Sequence, residues 1–166
     1  MTAADATNAW LERVVLDNDA LTGLSPFIEA DREQAVADLA TASHFMPLLH
    51  GGAPGPFILH LMIREGRLVF DIRDGADVPL IAIGLALGPF RRMVKDYQLL
   101  VDSHIMAVEE GRESRIQAID MGRRGLHNEG AELMKQRLAD KIDIDFDTAR
   151  RLFTLVCVLH QRVSAR

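Results

Sequence analysis

Residues 119–130, with the sequence IDMGRRGLHNEG, combine several residue types that are suited to binding an anion. Glycine lets backbone N–H groups approach a ligand, and arginine presents a planar fork of donors that matches phosphate oxygens. A glycine inside a helix costs roughly 1 kcal/mol relative to alanine, so a cluster of glycines needs a structural or functional reason. The residues concerned are Gly122, Gly125, Gly130, Arg123, Arg124, His127 and Asn128.

This segment has two interpretations. A phosphate-binding P-loop follows a strand and ends in lysine followed by serine or threonine, and residues 119–130 do neither. In a corner between two helices, Gly125 would end the first helix and Asn128 would cap the second. Leu126 would then be buried, and His127 would hydrogen-bond to backbone. The corner is our preferred prediction, and a phosphate- or nucleotide-dependent enzyme that uses the glycines and arginines is the alternative.

Arginine also recurs in adjacent pairs. Two of the pairs are predicted in the first turn of a helix, where positive charge opposes the helix dipole, so an anion is expected nearby. That anion is either a carboxylate of this protein, which we favour, or an external partner. The three pairs are Arg91-Arg92, Arg123-Arg124 and Arg150-Arg151, and the nearby acids are Asp96, Asp120, Glu129, Asp145 and Asp147. The residues that we predict to bind a partner or an anion are Arg91, Arg92, Arg123, Arg124, His127 and Asn128.

Catalytic and metal chemistry have less support in the sequence. His127, Glu129 and Glu132 could transfer protons, but no serine or cysteine lies in a recognisable nucleophile motif. The histidines lack the spacing of a zinc site, and the single cysteine, Cys157, lies in an apolar run typical of a core. We therefore assign no catalytic residue, no metal and no cofactor.

Length and composition favour one globular domain over residues 1–166, with disorder expected in about the first eight residues. A formal net charge of −5 makes nucleic-acid binding an unfavoured function, although it stays a further alternative. The N-terminus does not resemble an export signal, and the longest apolar stretch, residues 78–87, is about half of what a membrane helix needs. We expect a cytoplasmic protein without a membrane span.

Hydrophobic periodicity predicts the elements that must position these residues. Period-two alternation predicts strands at residues 57–63 and 68–72, joined by a tight turn at Glu65-Gly66, and a third strand at residues 78–87. A short apolar run from Trp10 to Leu16 predicts an edge strand. Helical spacing predicts four further segments: 29–43, 89–108, 114–139 with a corner at the glycines, and 148–162 with Asp145 or Asp147 as its cap. The fold class is α+β, with a small antiparallel meander of three to five strands packed against four to five helices.

Four long blocks of the sequence resemble a family of small, uncharacterised alphaproteobacterial proteins. The blocks are LVFDIRD at 68–74, PFRRMVKDY at 89–97, IDMGRRGLHNEGAEL at 119–133 and DFDTARRLFTLVCVLH at 145–160. The resemblance covers the chain from about Asp31 onward and implies a link to an inhibitor of the assembly of MreB, the bacterial actin. It therefore implies that this protein binds MreB, restrains its polymerisation and influences cell shape. It supplies no active-site residues.

A non-enzymatic interaction protein that regulates MreB filaments is thus the first hypothesis. A compact acidic domain with arginine forks and a few apolar anchors is able to cover a subunit surface and block filament growth without any active site. A homodimer is compatible with the sequence.

Overall fold

The computed structural model describes residues 8–17, 23–48 and 54–164, without the side chains of residues 162–164. The part of the chain that is described forms four helices and six strands, so the α+β class is confirmed. The helices are α1 (Pro26–Thr41), α2 (Arg91–Glu109), α3 (Glu113–Leu138) and α4 (Phe146–Ser164), and a 3-10 turn at Gly88–Phe90 precedes α2. The strands are β1 (Leu11–Leu16), β2 (Phe45–Pro47), β3 (Phe57–Arg64), β4 (Arg67–Arg73), β5 (Pro79–Ala86) and β6 (Ile142–Ile144).

The main sheet has the strand order β1-β3-β4-β5. Strands β3, β4 and β5 form the antiparallel meander that alternation predicts, and β1 lies parallel to β3 at the edge, as the apolar run near Trp10 indicated. Glu65 and Gly66 form the hairpin turn, both with positive φ, which is the backbone geometry that matches the twist of antiparallel strands. The two-stranded β2–β6 sheet was not predicted, because strands of three residues are too short to show a period.

Side-chain caps fix where two of the helices begin. The Ser25 hydroxyl accepts a hydrogen bond from the backbone N–H of Ile28, and Pro26 occupies the first turn, so α1 starts three residues before the predicted Glu29. At α4, Asp145 accepts a hydrogen bond of 2.8 Å from the backbone N–H of Thr148, which confirms Asp145 as the cap. The disorder expected at the N-terminus falls on residues outside the described ranges, apart from Asn8.

Helix α4 lies at the centre of the core. Every residue from Leu152 to Leu159 is buried, including Cys157, and the helix packs against α1, α2, α3 and β3. This confirms the prediction from its continuous apolar sequence. None of the described helices combines the length and the apolar character that crossing a membrane would require.

The predicted corner at residues 119–130 is wrong, because α3 runs without a break from Glu113 to Leu138. Helix packing explains one of its three glycines. A Cβ at Gly130 would come within 3.0 Å of the Phe153 ring. A Cβ at Gly122 would make an ordinary van der Waals contact with Leu100 of α2, at 3.4 Å, and a Cβ at Gly125 would meet no atom within 4 Å. The expected burial of Leu126 is confirmed, whereas Asn128 is an exposed mid-helix residue and caps nothing.

Candidate functional site

An open polar cleft of about 380 Å³ lies between α1, α3 and α4. Its lining residues recur at intervals of three or four along each helix, so one stripe of each helix faces the cleft. These stripes bring two of the three arginine pairs together, although the pairs are far apart in sequence. The lining consists of Asp31, Gln34, Ala35 and Asp38 from α1, Asp120, Arg123, Arg124 and His127 from α3, and Arg150, Arg151 and Thr154 from α4.

Arg123 is held in place by an internal carboxylate. Its Nη2 lies 3.0 Å from Asp31 Oδ1 and 2.7 Å from Oδ2, and its guanidinium carbon lies 4.7 Å from the centroid of the Phe27 ring. The hydroxyl of Tyr97 donates a 2.7 Å hydrogen bond to the same Asp31 carboxylate. Burial, followed by the charge of Asp31, raises the pKa of Tyr97 well above its usual range, so the hydroxyl keeps the proton that it donates.

Arg151 is the second arginine with a carboxylate partner. Its Nε lies 3.1 Å from Asp38 Oδ2 in an ion pair without hydrogen-bond geometry, and its Nη1 donates to the backbone carbonyl of Asp147. The other oxygen of Asp38 accepts a 2.8 Å hydrogen bond from Gln34. Arg123 and Arg151 therefore confirm part of the internal network that the sequence led us to favour. Their nearest carboxylates are aspartates of α1, and Asp120, an expected neighbour, lies 3.8 Å from Arg123.

Arg124 and Arg150 differ from these two arginines. No carboxylate of the described residues forms an ion pair with either guanidinium. The buried Nε of Arg150 has no hydrogen-bond partner among these residues, and the same holds for the Nε atoms of Arg123 and Arg151. An unpartnered buried donor costs free energy, so its presence beside an open cleft indicates a position where an incoming acceptor would be stabilised. Four arginines and three aspartates line the cleft, and it is thus locally positive in a chain whose net charge is negative.

His127 forms part of the wall of the cleft. Its Nδ1 lies 2.8 Å from the backbone carbonyl of Arg123, which can only accept, so Nδ1 carries the proton. The predicted hydrogen bond to backbone is therefore confirmed. Burial, and the nearby charge of Arg123, lower the pKa of His127 despite this bond, so the ring is neutral at pH 7. Its edges pack against Tyr97 and Phe153.

The cleft includes three of the six residues predicted to form the site, namely Arg123, Arg124 and His127. Arg92 pairs outside the cleft with Asp96, at 3.0 Å, and with Glu129, and both acids are among those expected to pair with the arginines. Arg91 and Asn128 are exposed outside the cleft. Helix α2 carries Arg91 and Arg92 and contributes no residue to the lining, which is why the first arginine pair does not join the others.

Several lining residues were not predicted. Asp31 and Asp38 are seven residues apart, so they lie on one face of α1. Arg150 and Arg151 form one of the three arginine pairs of the sequence but were not among the six predicted site residues. Only the packing of α1 against α4 shows that these residues meet. The described residues contain no group of three or more histidine, cysteine or acidic side chains that could hold a metal ion.

A second surface is apolar and lies on the other side of α3. It is an open groove between α2 and α3 that is lined mainly by leucines and two glycines, and we call it the α2–α3 face. Leu99 is its most exposed leucine, at 56%. The residues of the α2–α3 face are Leu99, Leu100, Gly122, Gly125 and Leu126, together with Asp96 and Glu129.

Comparison with known proteins shows the family. Residues 8–162 match the model of the uncharacterised protein family UPF0262. The chain belongs to this family. It is 62% identical to a UPF0262 protein of Granulibacter bethesdensis over 164 residues, which cover 95% of this chain and 93% of the relative. It is also 62% identical to one of Acidiphilium cryptum over 152 residues, covering 92% and 93% of the two chains.

A third relative, from Paramagnetospirillum magneticum, is 49% identical over 135 residues, covering 81% of this chain and 85% of the relative. The family is well represented in alphaproteobacteria, which confirms that part of the resemblance seen in the sequence. No solved structure matches the chain. The names of these relatives state no activity and no partner, so the link to MreB stays a prediction.

Proposed function

We propose that this protein is a binding protein that takes a small anion into the cleft between α1, α3 and α4. The observation that carries the proposal is the presence of Arg124 and Arg150 in this cleft without a carboxylate partner among the described residues. Guanidinium groups bind phosphate and carboxylate through paired hydrogen bonds, and such charge-assisted bonds are roughly twice as strong as neutral ones.

The fixed arginines support the two that lack a carboxylate. Asp31 and Tyr97 orient Arg123, and Asp38 holds Arg151, so the walls of the cleft are set before an anion arrives. A preformed site loses less entropy on binding than one that must be ordered by its ligand. The neutral state of His127 avoids adding a further buried charge, and its ring gives the cleft a rigid wall.

Thermal unfolding at constant ionic strength tests the proposal. An anion at about one hundred times its Kd stabilises a protein by roughly 2.7 kcal/mol, which for this chain length raises Tm by about 5–10 °C. We expect inorganic phosphate or a small dicarboxylate to raise Tm in the wild type. The Arg124→Gln/Arg150→Gln double variant should show no such rise.

Arg115→Gln is the matched control, because Arg115 lies on the same helix, is exposed and does not line the cleft. It should respond to the anions as the wild type does. An equal response of the wild type and the double variant would overturn the proposal.

An enzyme that acts on the same anion is a second candidate. The observation that favours it is His127, a neutral imidazole in the wall of an arginine-lined cleft, where it is suited to accept a proton. The candidate predicts turnover of a phosphorylated compound by the wild type and its loss in His127→Asn. Anion binding by the wild type without turnover of any phosphorylated compound in a broad screen would count against it.

Binding to MreB remains our proposal for a protein partner, and the α2–α3 face is the surface that we assign to it. An exposed leucine beside an apolar groove is typical of helix-binding interfaces. The protein at near-equimolar ratio should lower the mass of sedimented MreB polymer, and Leu99→Glu should weaken this effect. Full polymerisation in excess protein would refute the proposal.

We also propose a homodimer through the free edge of β5. In the described part of the chain this strand pairs only with β4. Residues 78–87 contain no charged side chain, although edge strands are usually protected by charges. Antiparallel pairing of two β5 strands would satisfy their free backbone groups and join the two main sheets.

A further inference from the structure

We infer that the ligand of the cleft is a small phosphate monoester whose body carries hydrogen-bond donors. This inference rests on the proposed anion-binding function and names the class of ligand for the same site. It follows from the number of arginines without a carboxylate, from the position of Asp120 and from the size of the cleft.

The shape of the anion follows from Arg124 and Arg150. Their guanidinium groups have no carboxylate partner among the described residues, so two planar forks are open to one ligand. A phosphate monoester carries about −1.5 to −2 at pH 7, more than a single carboxylate or a phosphodiester at about −1, and is attracted more strongly by the net charge of +1 that four arginines and three aspartates give the lining. Its three terminal oxygens also suit two planar forks at once, because each fork takes up oxygens in pairs.

Asp120 indicates what the rest of the ligand must offer. Its side chain is 44% exposed, and its ion-pair contacts are long, at 3.8 Å to Arg123 and 3.9 Å to His104. The carboxylate therefore keeps acceptor capacity on the wall of the cleft, and only donors can use it. Hydroxyl and ammonium groups both satisfy that requirement.

The size of the cleft is consistent with a body attached to the phosphate. A volume of about 380 Å³ exceeds the needs of a phosphate ion alone and falls within the range of small-molecule sites. Gln34 and Asp38 extend the polar lining on the α1 side. An apolar body would remove water from the Asp120 carboxylate without replacing its hydrogen bonds, so a hydrophilic body is favoured.

Titration calorimetry at fixed ionic strength tests the inference with five probes: glucose 6-phosphate, O-phosphoethanolamine, inorganic phosphate, malonate and glucose. We expect one of the two monoesters to bind at least about ten-fold more tightly than inorganic phosphate or malonate, the factor expected from hydrogen bonds to a charged group. Glucose should not bind. The better of the two monoesters shows whether hydroxyl or ammonium groups reach Asp120.

Asp120→Ala separates recognition of the body from recognition of the phosphate. It should reduce the advantage of the monoester over inorganic phosphate to about two-fold. The affinity for inorganic phosphate should stay the same or rise, because the variant removes a negative charge from the cleft. A purely structural effect would weaken both ligands equally and would overturn the role of Asp120. Because 44% of its side chain is exposed, the variant is expected to fold.

The outcomes distinguish the inference from the proposed function. If inorganic phosphate or malonate binds as tightly as both monoesters, and the Arg124→Gln/Arg150→Gln variant loses this binding, the ligand class is wrong and the anion site stands. If no anion binds the wild type, or if the double variant binds anions as Arg115→Gln does, the anion site itself is wrong.

Discussion

Replacing single glycines of α3 by alanine measures directly how this helix is packed. At Gly130 the new Cβ would lie closer than 3.0 Å to the ring of Phe153, whereas carbon atoms in contact are separated by about 3.5–4.0 Å. Phe153 is fully buried in the core and cannot swing into solvent. Either its ring or the α3 backbone must move, and overpacking of this kind typically costs about 1–3 kcal/mol, occasionally more.

The helix propensity of alanine offsets only part of that cost. Because the contact is so close, we take the upper end of the overpacking cost, about 3 kcal/mol. Alanine favours a helix by roughly 1 kcal/mol over glycine, so we expect Gly130→Ala to lower the free energy of unfolding by about 2 kcal/mol. For a chain of this length such a loss lowers Tm by about 4–8 °C. Urea unfolding followed by circular dichroism gives the free energy, and calorimetry gives Tm.

Gly125→Ala is the control on the same helix. A Cβ at this position meets no atom within 4 Å, and the backbone is helical, so only the propensity term applies. We expect stabilisation by about 0.5–1 kcal/mol. A corner at Gly125 with a left-handed backbone would give the opposite sign, and destabilisation by Gly125→Ala would therefore refute the continuous helix. Unchanged stability of Gly130→Ala would refute the close contact with Phe153.

Three further predictions concern other parts of the fold. Asp31→Ala should lower the free energy of unfolding, measured in urea, by about 1–3 kcal/mol, because Arg123 and Tyr97 both lose their acceptor. A loss below about 0.5 kcal/mol, which is typical of surface substitutions, would show that these hydrogen bonds do not stabilise the fold. Burial lowers the pKa of His127, and burial together with the charge of Arg91 lowers the pKa of His160. The free energy of unfolding that these two histidines contribute is therefore fully present above about pH 6.5, the pKa of histidine in the unfolded chain, and decreases as pH falls below that value. His127→Gln should therefore show a smaller loss between about pH 7.5 and 5.5 than the wild type, and equal slopes would show that His127 does not contribute. In an antiparallel dimer paired about the middle of β5, the exposed Ala82 side chains of the two copies lie close together. Ala82→Lys would then bring two like charges together and should yield monomers in sedimentation velocity. A monomeric wild type would exclude this dimer.

Contacts between residues that are close in sequence were predicted, whereas contacts between residues that are far apart in sequence were not. The cap at Asp145, the hairpin at Glu65-Gly66 and the bond from His127 to the carbonyl of Arg123 connect residues that are close in sequence, and all three were predicted. The pairing of Arg123 with Asp31 joins residues that are 92 positions apart. Charge alone gives no means of choosing that partner over the nearer aspartates.

The glycines of α3 show the same limit. In sequence, three glycines within nine residues read as a break, because their cost to a helix is a local property. In the folded chain, Gly130 allows the close approach of Phe153 from α4, which offsets that cost at this position. A contact with another helix is not part of a local propensity, so the local sequence does not show it.

The sequence by itself determined the periods of the strands and helices, the apolar character of α4, the α+β class and membership of the family, since each depends on the order of residues along the chain. The tertiary structure alone decided which charges meet. The packing of α1 and α3 against α4 brings Arg123, Arg124, Arg150 and Arg151 to one cleft and leaves Arg91 and Arg92 outside it. The same packing decides which of these arginines meet a carboxylate, and no local sequence pattern contains that information. Arg124 and Arg150 have no carboxylate partner among the described residues, and this is the basis of the proposed anion site.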